Sequence, residues 1–486
     1  MTMDRRALLK LAGLAPLVAA VPRLASAEGQ GQATDAKADY TVRIGTGLVE
    51  LSPAHIISTT LYNDQFPGPL LRFKEGQQAV VDVHNDTDTP ELVHWHGQLV
   101  PSDVDGASEE GTPFVPPHGM RRVVFVPRPA GFRFYHTHVF AGADLNRSTY
   151  TGQAGPVYIE PNNNAGAYDR EVFLILKEFG PSWSRGGDMA MDILSGAPNP
   201  ALQQMGKEAD EKTKGTPKGF EVGYELFSIN GRMRGHGEPI RVKYGERVLF
   251  HVLNASATEI RSLALPGHVF RVVALDGNPV PTPSNVPVLW LGTAERVAAI
   301  VEMKRPGVWT MGDLADDDRR HGMGIVVEYA GRKGAAQWAK PQPFRWDYAR
   351  FSSIGATDAA PDETIEITIV KQNAAAHGFN VWTLNGEAFS ADAMKPTYTL
   401  QRGRRYRLKF RNASDDIHPL HLHRHTFELT RVGGKATAGV MKDVVMLGGF
   451  QELELDFVAD NPGLTLFHCH QQLHMDFGFM ALFKYA

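Results

Sequence analysis

The chain of 486 residues has a single cysteine, Cys469, so no disulfide can form within one copy and a structural zinc site built from paired CxxC motifs is excluded. An unbroken membrane-spanning run is missing as well. The apolar stretch near the N-terminus is interrupted by Lys10 and Pro16 and falls short of the ~20 residues that cross a bilayer, so no stable membrane insertion is expected. Neither sign of charge dominates: 50 lysines and arginines stand against 54 acids, a formal charge of −4, which gives no basis for a nucleic-acid partner. Helix-length apolar periods are few. Instead, 48 glycines and 31 prolines punctuate short alternating segments, the pattern of an all-β chain of sandwiches with Greek-key connections.

What the chain does have is histidine in pairs. The runs are His94-Trp95-His96, His136-Thr137-His138, His418-Pro419-Leu420-His421-Leu422-His423 and Phe467-His468-Cys469-His470. Each contains HxH, and residues two apart on a strand project from one face, so each pair can close on a metal from one side. The same parity puts Cys469 on the opposite face from His468 and His470, so this one segment touches two metal centres back to back. His418, three residues before His421, falls on the cysteine side, and His474 can be turned back to the sulfur by a tight loop. His418, Cys469 and His474 then form a His2Cys set, the donor set of a blue-copper site, and copper is the metal to expect. Ligation also explains why an exported protein would keep one odd cysteine: bound as a thiolate, it is not a free reactive thiol.

Export is expected from residues 1–27. They carry paired arginines, Arg5 and Arg6, an apolar stretch and Ala25-Ser26-Ala27, the pattern of a twin-arginine signal recognised by the matching export machinery and leading to the periplasm or beyond. Behind it, the chain repeats with a period of about 160 residues. Asn85, Asn254 and Asn412, read as turn residues, each precede a strand. The ninth and eleventh residues after them are His94 and His96, then Leu263 and Leu265, then His421 and His423. Counting five and seven from Gly131, Gly307 and Gly463 gives His136 and His138, then Gly312 and Leu314, then His468 and His470. Repeats one and three are armed and the middle one reads as a spacer, so the eight paired histidines should converge where repeat one meets repeat three. Domains are expected over 38–165, 166–340 and 360–486, with an insertion over 182–219 that holds a loop and a short helix.

The runs HWHG (from His94), HTH (from His136), HPLHLH (from His418) and HCHQQLH (from His468) resemble the four copper-binding motifs of the multicopper oxidases, the laccase-like family of three cupredoxin domains. The resemblance covers essentially all of the mature chain. It implies four copper ions: type 1 on His418, Cys469 and His474; type 2 on His94 and His421; one type 3 on His96, His136 and His470, the other on His138, His423 and His468. It further implies that electrons taken singly from a reductant at type 1 pass through Cys469, His468 and His470 to the other three ions, where dioxygen becomes water. Asp105, in the Val104-Asp105-Gly106 turn, resembles the family acid that assists proton transfer.

Three positions depart from the common pattern. Phe479 stands where many relatives place an axial methionine, with Met480 one step later; a non-ligating Phe resembles the fungal laccases and should raise the copper potential. Met475 and Asp476 follow His474 where bacterial relatives carry a glutamate. Arg424 replaces a frequent glycine. The leading expectation is a laccase-like oxidase of phenols or aromatic amines. A metallo-oxidase for Cu(I), Fe(II) or Mn(II) is the second reading, although Met189, Met191 and Met205 of the insertion read as packing residues. A non-enzymatic copper-sequestering or structural protein is the third.

Overall fold

The computed structural model describes residues 36–162, 167–184, 192–213, 218–355 and 359–486. Strands alternate in burial as the sequence alternates in polarity. In Arg405–Asn412 the residues Tyr406, Leu408 and Phe410 point inward, while Arg405, Arg407, Lys409 and Arg411 lie on the other face. Each such inward side chain contributes roughly 1.5–3 kcal/mol when fully buried, and a helix could not gather them on one side.

The first sandwich packs a sheet of order His55–Tyr62, Tyr40–Ser52, Ala79–Asn85, Gly119–Phe125 against one of order Leu71–Lys74, Ala154–Glu160, Gly131–His136, His94–His96. In the third, a six-stranded sheet that includes Arg405–Asn412 faces a five-stranded one. The latter runs Tyr398–Leu400, Met480–Tyr485, Thr465–Cys469, His418–Leu422, Val444–Leu447. The middle sandwich has its own six-stranded sheet, with Leu226–Ile229 at one edge and Asn278–Val286 at the other, and smaller two- and three-stranded sheets.

The repeat is visible in register. The opening strand of each sandwich runs parallel to the asparagine-bearing strand, with Ile44 opposite Asn85, Leu176 opposite Asn254 and Ile369 opposite Asn412. All three asparagines are buried. Each carboxamide oxygen accepts the N–H two residues on, and each Nδ2 donates to two carbonyls, those of Thr89 and Val115, Glu259 and Leu291, Asp416 and Gly448. The turn thus clamped sends the chain into the next strand at a fixed angle. In the middle sandwich Leu263 and Leu265 sit buried in the core where the neighbours carry histidines.

Within the insertion, Pro200–Lys212 is a helix, capped by Asn199 Oδ1 accepting from Ala201 N at 2.9 Å, with proline in its first turn. Its Gly206 lies against the Ala413 carbonyl, where a Cβ would sit 2.6 Å from that oxygen. Met205 is half-buried, whereas Met189, Met191 and the expected signal over 1–27 lie outside the described residues. Among the described residues no helix is long and apolar enough to cross a membrane.

Candidate metal centre

Strand pairing builds the centre. His94 lies opposite His136, and His421 opposite His468, while Leu420 lies opposite Cys469. The eight paired histidines converge from the first and third sandwiches into one buried cluster. Three histidine groups in it have donor atoms within 4.8 Å of one another: His94, His96 and His421; His96, His136 and His470; His138, His423 and His468. On the reverse face His418 Nδ1 and His474 Nδ1 each lie 3.6 Å from Cys469 Sγ and 3.2 Å from each other. The parity expected of this strand therefore holds.

Most rings have one nitrogen held by the protein. His136 Nδ1 meets the Thr137 carbonyl at 2.7 Å, His421 Nδ1 that of Asp443 at 2.7 Å, and His468 Nδ1 that of Cys469 at 2.9 Å. Asp105 serves two rings: its carbonyl lies 2.9 Å from His94 Nδ1, with Oδ2 3.0 Å from the same nitrogen and 2.8 Å from His423 Nδ1. The turn that presents it needs Gly106, at φ +103°, because a Cβ there would lie 2.0 Å from the Val93 carbonyl oxygen. With their Nδ1 atoms engaged, His423 and His468 turn Nε2 lone pairs toward each other at 3.0 Å. Two facing lone pairs repel, and a cation between them removes the conflict. His94 Nε2, His421 Nε2 and His470 Nε2 are likewise buried without a partner.

Burial, reinforced by neighbouring imidazoles, holds His96, His136, His138, His418, His421, His423, His468 and His470 well below the usual histidine range. They are neutral donors at physiological pH. Burial pushes the Cys469 thiol up, so a bound cation must supply the charge that keeps it a thiolate.

Family models described as "Multicopper oxidase" match residues 47–164, 203–326 and 358–486, together about three-quarters of the sequence. The chain belongs to the multicopper oxidase family. It is a dioxygen-reducing oxidase of three cupredoxin domains, and its histidine clusters fit copper sites. This multicopper oxidase is 29% identical to "Multicopper oxidase MmcO" of Mycobacterium tuberculosis, over 96% of this chain and 93% of that one. In fold it is similar to a laccase from Botrytis aclada, with a TM-score of 0.72, 18% identity, and coverage of 91% of this chain and 87% of that one. It is also similar to a multicopper oxidase from Campylobacter jejuni described as a metallo-oxidase, with a TM-score of 0.68, 20% identity, and coverage of 94% and 93%.

Around the cysteine, the Trp382 ring packs 4.6 Å from the His418 ring and 4.4 Å from that of His474, and Phe479 lies 4.8 Å from His418. Phe479 is on the Cys469 side, in the same core cluster. Met480 packs elsewhere, with Ala107, Leu466, Met475 and Leu482. Ser414 Oγ lies 3.1 Å from His418 Nε2 and lines a cavity of about 170 Å³ beneath the insertion helix, with Gln203, Lys207, Asp210, Lys371, Asp415 and Phe450.

Sequence reasoning missed three contributors. Asp443 and Glu110 are charged residues in unremarkable contexts, yet both are buried against histidines of the cluster, Asp443 Oδ1 at 3.1 Å from His96 and Glu110 Oε1 at 3.6 Å from His423. Burial and the neighbouring Asp105 push Glu110 well above the usual carboxylate range. Trp382 carries no motif at all. The signal available for Asp443 was a Lys-Asp pair inside the apolar run Val440–Leu447. Arg424, unexplained by sequence, has φ +59°, which accounts for a glycine being frequent there. Its buried guanidinium donates to the carbonyls of Val100, Asn461, Pro462 and Leu464 and to the Thr465 hydroxyl.

Proposed function

We propose that this protein is a laccase-like oxidase that takes electrons one at a time from phenols or aromatic amines. The observation that carries the reading is the His418, Cys469 and His474 triad with Phe479 beside it, joined through one strand to the eight-histidine cluster. In this reading the triad would hold type 1 copper, with Phe479 beside it as a side chain that offers no ligand atom. His94 and His421 hold type 2; His96, His136 and His470 hold one type 3 ion, and His138, His423 and His468 the other. The four coppers, when bound, store and pass electrons to dioxygen.

The protein's own residues supply the rest. Trp382 and Phe479 exclude water from the sulfur side, which lowers the local dielectric and favours the reduced ion. Cys469 joins His468 and His470 through single peptide links, a short covalent route between the centres. Asp105, bridging His94 and His423, and the raised Glu110 beside it are placed to hold and hand over protons. Residues 1–27 support export to the periplasm through the twin-arginine machinery.

A second reading, oxidation of a metal ion, draws support from the polar lining of the cavity at Ser414, where Asp210 and Asp415 offer carboxylates. Oxygen uptake by the copper-loaded protein separates the two, comparing a methoxyphenol with Cu(I) and Fe(II) at matched concentrations. Fast turnover of the phenol supports the laccase reading, and preference for the metal ions overturns it. Cys469→Ser should abolish blue colour and donor oxidation; a variant that keeps both would sink the site assignment.

A further inference from the structure

The third sandwich contributes a residue to the histidine cluster that binds no metal in the arrangement above. Asp443 Oδ1 lies 3.1 Å from His96 Nε2, so that nitrogen carries the proton and Nδ1 is left as the donor. Nδ1 in turn faces His136 Nε2 at 3.3 Å. The main chain of the same residue acts on a second ligand, since the Asp443 carbonyl accepts from His421 Nδ1 at 2.7 Å. One residue therefore orients rings of two candidate copper sites.

Asp443 is itself held from the middle sandwich. Arg296 forks onto it, Nη1 to Oδ1 and Nη2 to Oδ2, both at 2.6 Å, and Arg133 of the first sandwich reaches Oδ2 at 3.3 Å. Asp276, again from the middle sandwich, accepts from the backbone N–H groups of Asp443 and Val444 at 3.2 and 3.0 Å. All these side chains are buried. The closeness has left a mark in the HWHG motif: Gly97, at φ +76°, is pressed so near that a Cβ would lie 2.5 Å from Asp443 Oδ2 and 2.7 Å from Arg296 Nη2. Two independent features, the fork and the glycine, thus fix where the carboxylate stands.

We propose that Asp443 is a positioning residue for the trinuclear copper cluster, fixing the His96 ring with Nδ1 toward the metal, and that Arg296 holds Asp443 in that place. The middle domain, which carries no ligand, then takes part in metal binding through Arg296. The inference rests on the copper assignment given under Proposed function. It predicts a selective defect. Removing the partner of a metal-bound imidazole weakens metal affinity by ~10–100-fold, and only the trinuclear ions should feel it, because His418, Cys469 and His474 make no contact with Asp443.

The test titrates copper into wild type, Asp443→Ala, Asp443→Asn and Arg296→Gln. Copper per chain, the blue type 1 band, the near-ultraviolet type 3 band and the type 2 paramagnetic signal are read alongside melting of the metal-free proteins. In Asp443→Ala the blue band should persist while trinuclear loading weakens ~10–100-fold. Asparagine should recover part of it, because its amide oxygen can still accept from Nε2–H. If Asp443→Ala does not fold, Arg296→Gln carries the test: weakened trinuclear loading with the blue band kept supports the proposal, and unchanged loading overturns it. Loss of the blue band and the trinuclear signals in parallel with the melting temperature would reduce Asp443 to a structural residue and overturn it too. A wild type that takes up no trinuclear copper would overturn the copper assignment along with it, whereas normal wild-type loading with normal variant loading overturns the role of Asp443 alone.

Discussion

Replacing Arg424 by alanine should be among the most damaging single changes outside the candidate metal centre. Arg424 sits just past the HLH run, with left-handed backbone at φ +59°, and its side chain is wholly buried. The guanidinium donates to five acceptors, of which those on Asn461, Pro462 and Leu464 belong to the loop that feeds the strand Thr465–Cys469. A hydrogen bond from a charged donor is worth ~1.5–3 kcal/mol net, and several sharing one side chain do not add in full. The same φ costs alanine about as much as arginine, ~1–2 kcal/mol, so it does not offset the loss. Together these put Arg424→Ala about 4 kcal/mol below wild type, at the upper end of what single substitutions do. Arg424→Gly loses the same bonds but also sheds the backbone strain, and should lie ~1 kcal/mol above the alanine variant. Urea unfolding of the metal-free protein, followed by tryptophan fluorescence, reads both without the mass-action stabilisation that copper would add. An alanine variant within ~1 kcal/mol of wild type, or a glycine variant more stable than wild type, would refute the view that the fork outweighs the strain.

Phe479→Met should place a thioether beside Cys469 and lower the potential of the type 1 ion, measured by redox titration of the blue band; an unchanged potential would mean that this side chain does not reach the axial position. Asp105→Asn should slow oxygen-linked turnover by ~10²–10⁴-fold, while anaerobic bleaching of the blue band by the donor keeps its wild-type rate; equal loss in both would remove Asp105 from proton delivery. Burial pushes the Asp476 carboxyl up to about 7, against the N–H groups of Ala141 and Gly142 and the Gln472 amide, which favour its ionised form. Its folded pKa is thus above the unfolded one, so its contribution to stability is whole below about pH 4, declines as pH rises, and levels off above about pH 7. Melting temperature against pH should flatten over that window in Asp476→Asn, and a variant keeping the wild-type slope would contradict this.

The donor atoms were legible because strand parity is local. His421 and His468, or Leu420 and Cys469, need only alternation to be sorted onto faces, and the pairing across strands then follows. The repeat was legible for a related reason: each asparagine clamps its own turn within five residues of itself, so its signal is carried by neighbours in sequence. The insertion helix was foreseeable in kind, and Asn199-Pro200 marks its start. What stayed hidden comes from distance in the chain. Asp443 meets His96 across 347 positions, and Arg424 meets Val100 across 324. Arg424 looks in sequence like any solvated arginine, and the Lys442-Asp443 pair in its apolar run hints at burial without naming the partner.

The middle domain shows what such long-range charges do. It carries Leu263 and Leu265 where its neighbours carry histidines, yet Asp276, Glu295 and Arg296 lie buried in it. These meet Arg133 of the first domain and Lys442 and Asp443 of the third, so three acids stand against three bases with no charge left over. Lys442 Nζ lies 3.0 Å from both Asp276 and Glu295. Stability alone is a weak reason for such a junction, because buried ion pairs often regain little more than their desolvation cost. What an apolar contact lacks is direction. The Arg296 fork donates to the Asp443 carboxylate in one orientation only, and that carboxylate is the one that turns His96. A ligand-free domain can therefore act on the cluster its neighbours share, by fixing the carboxylate that orients one of the clustered rings.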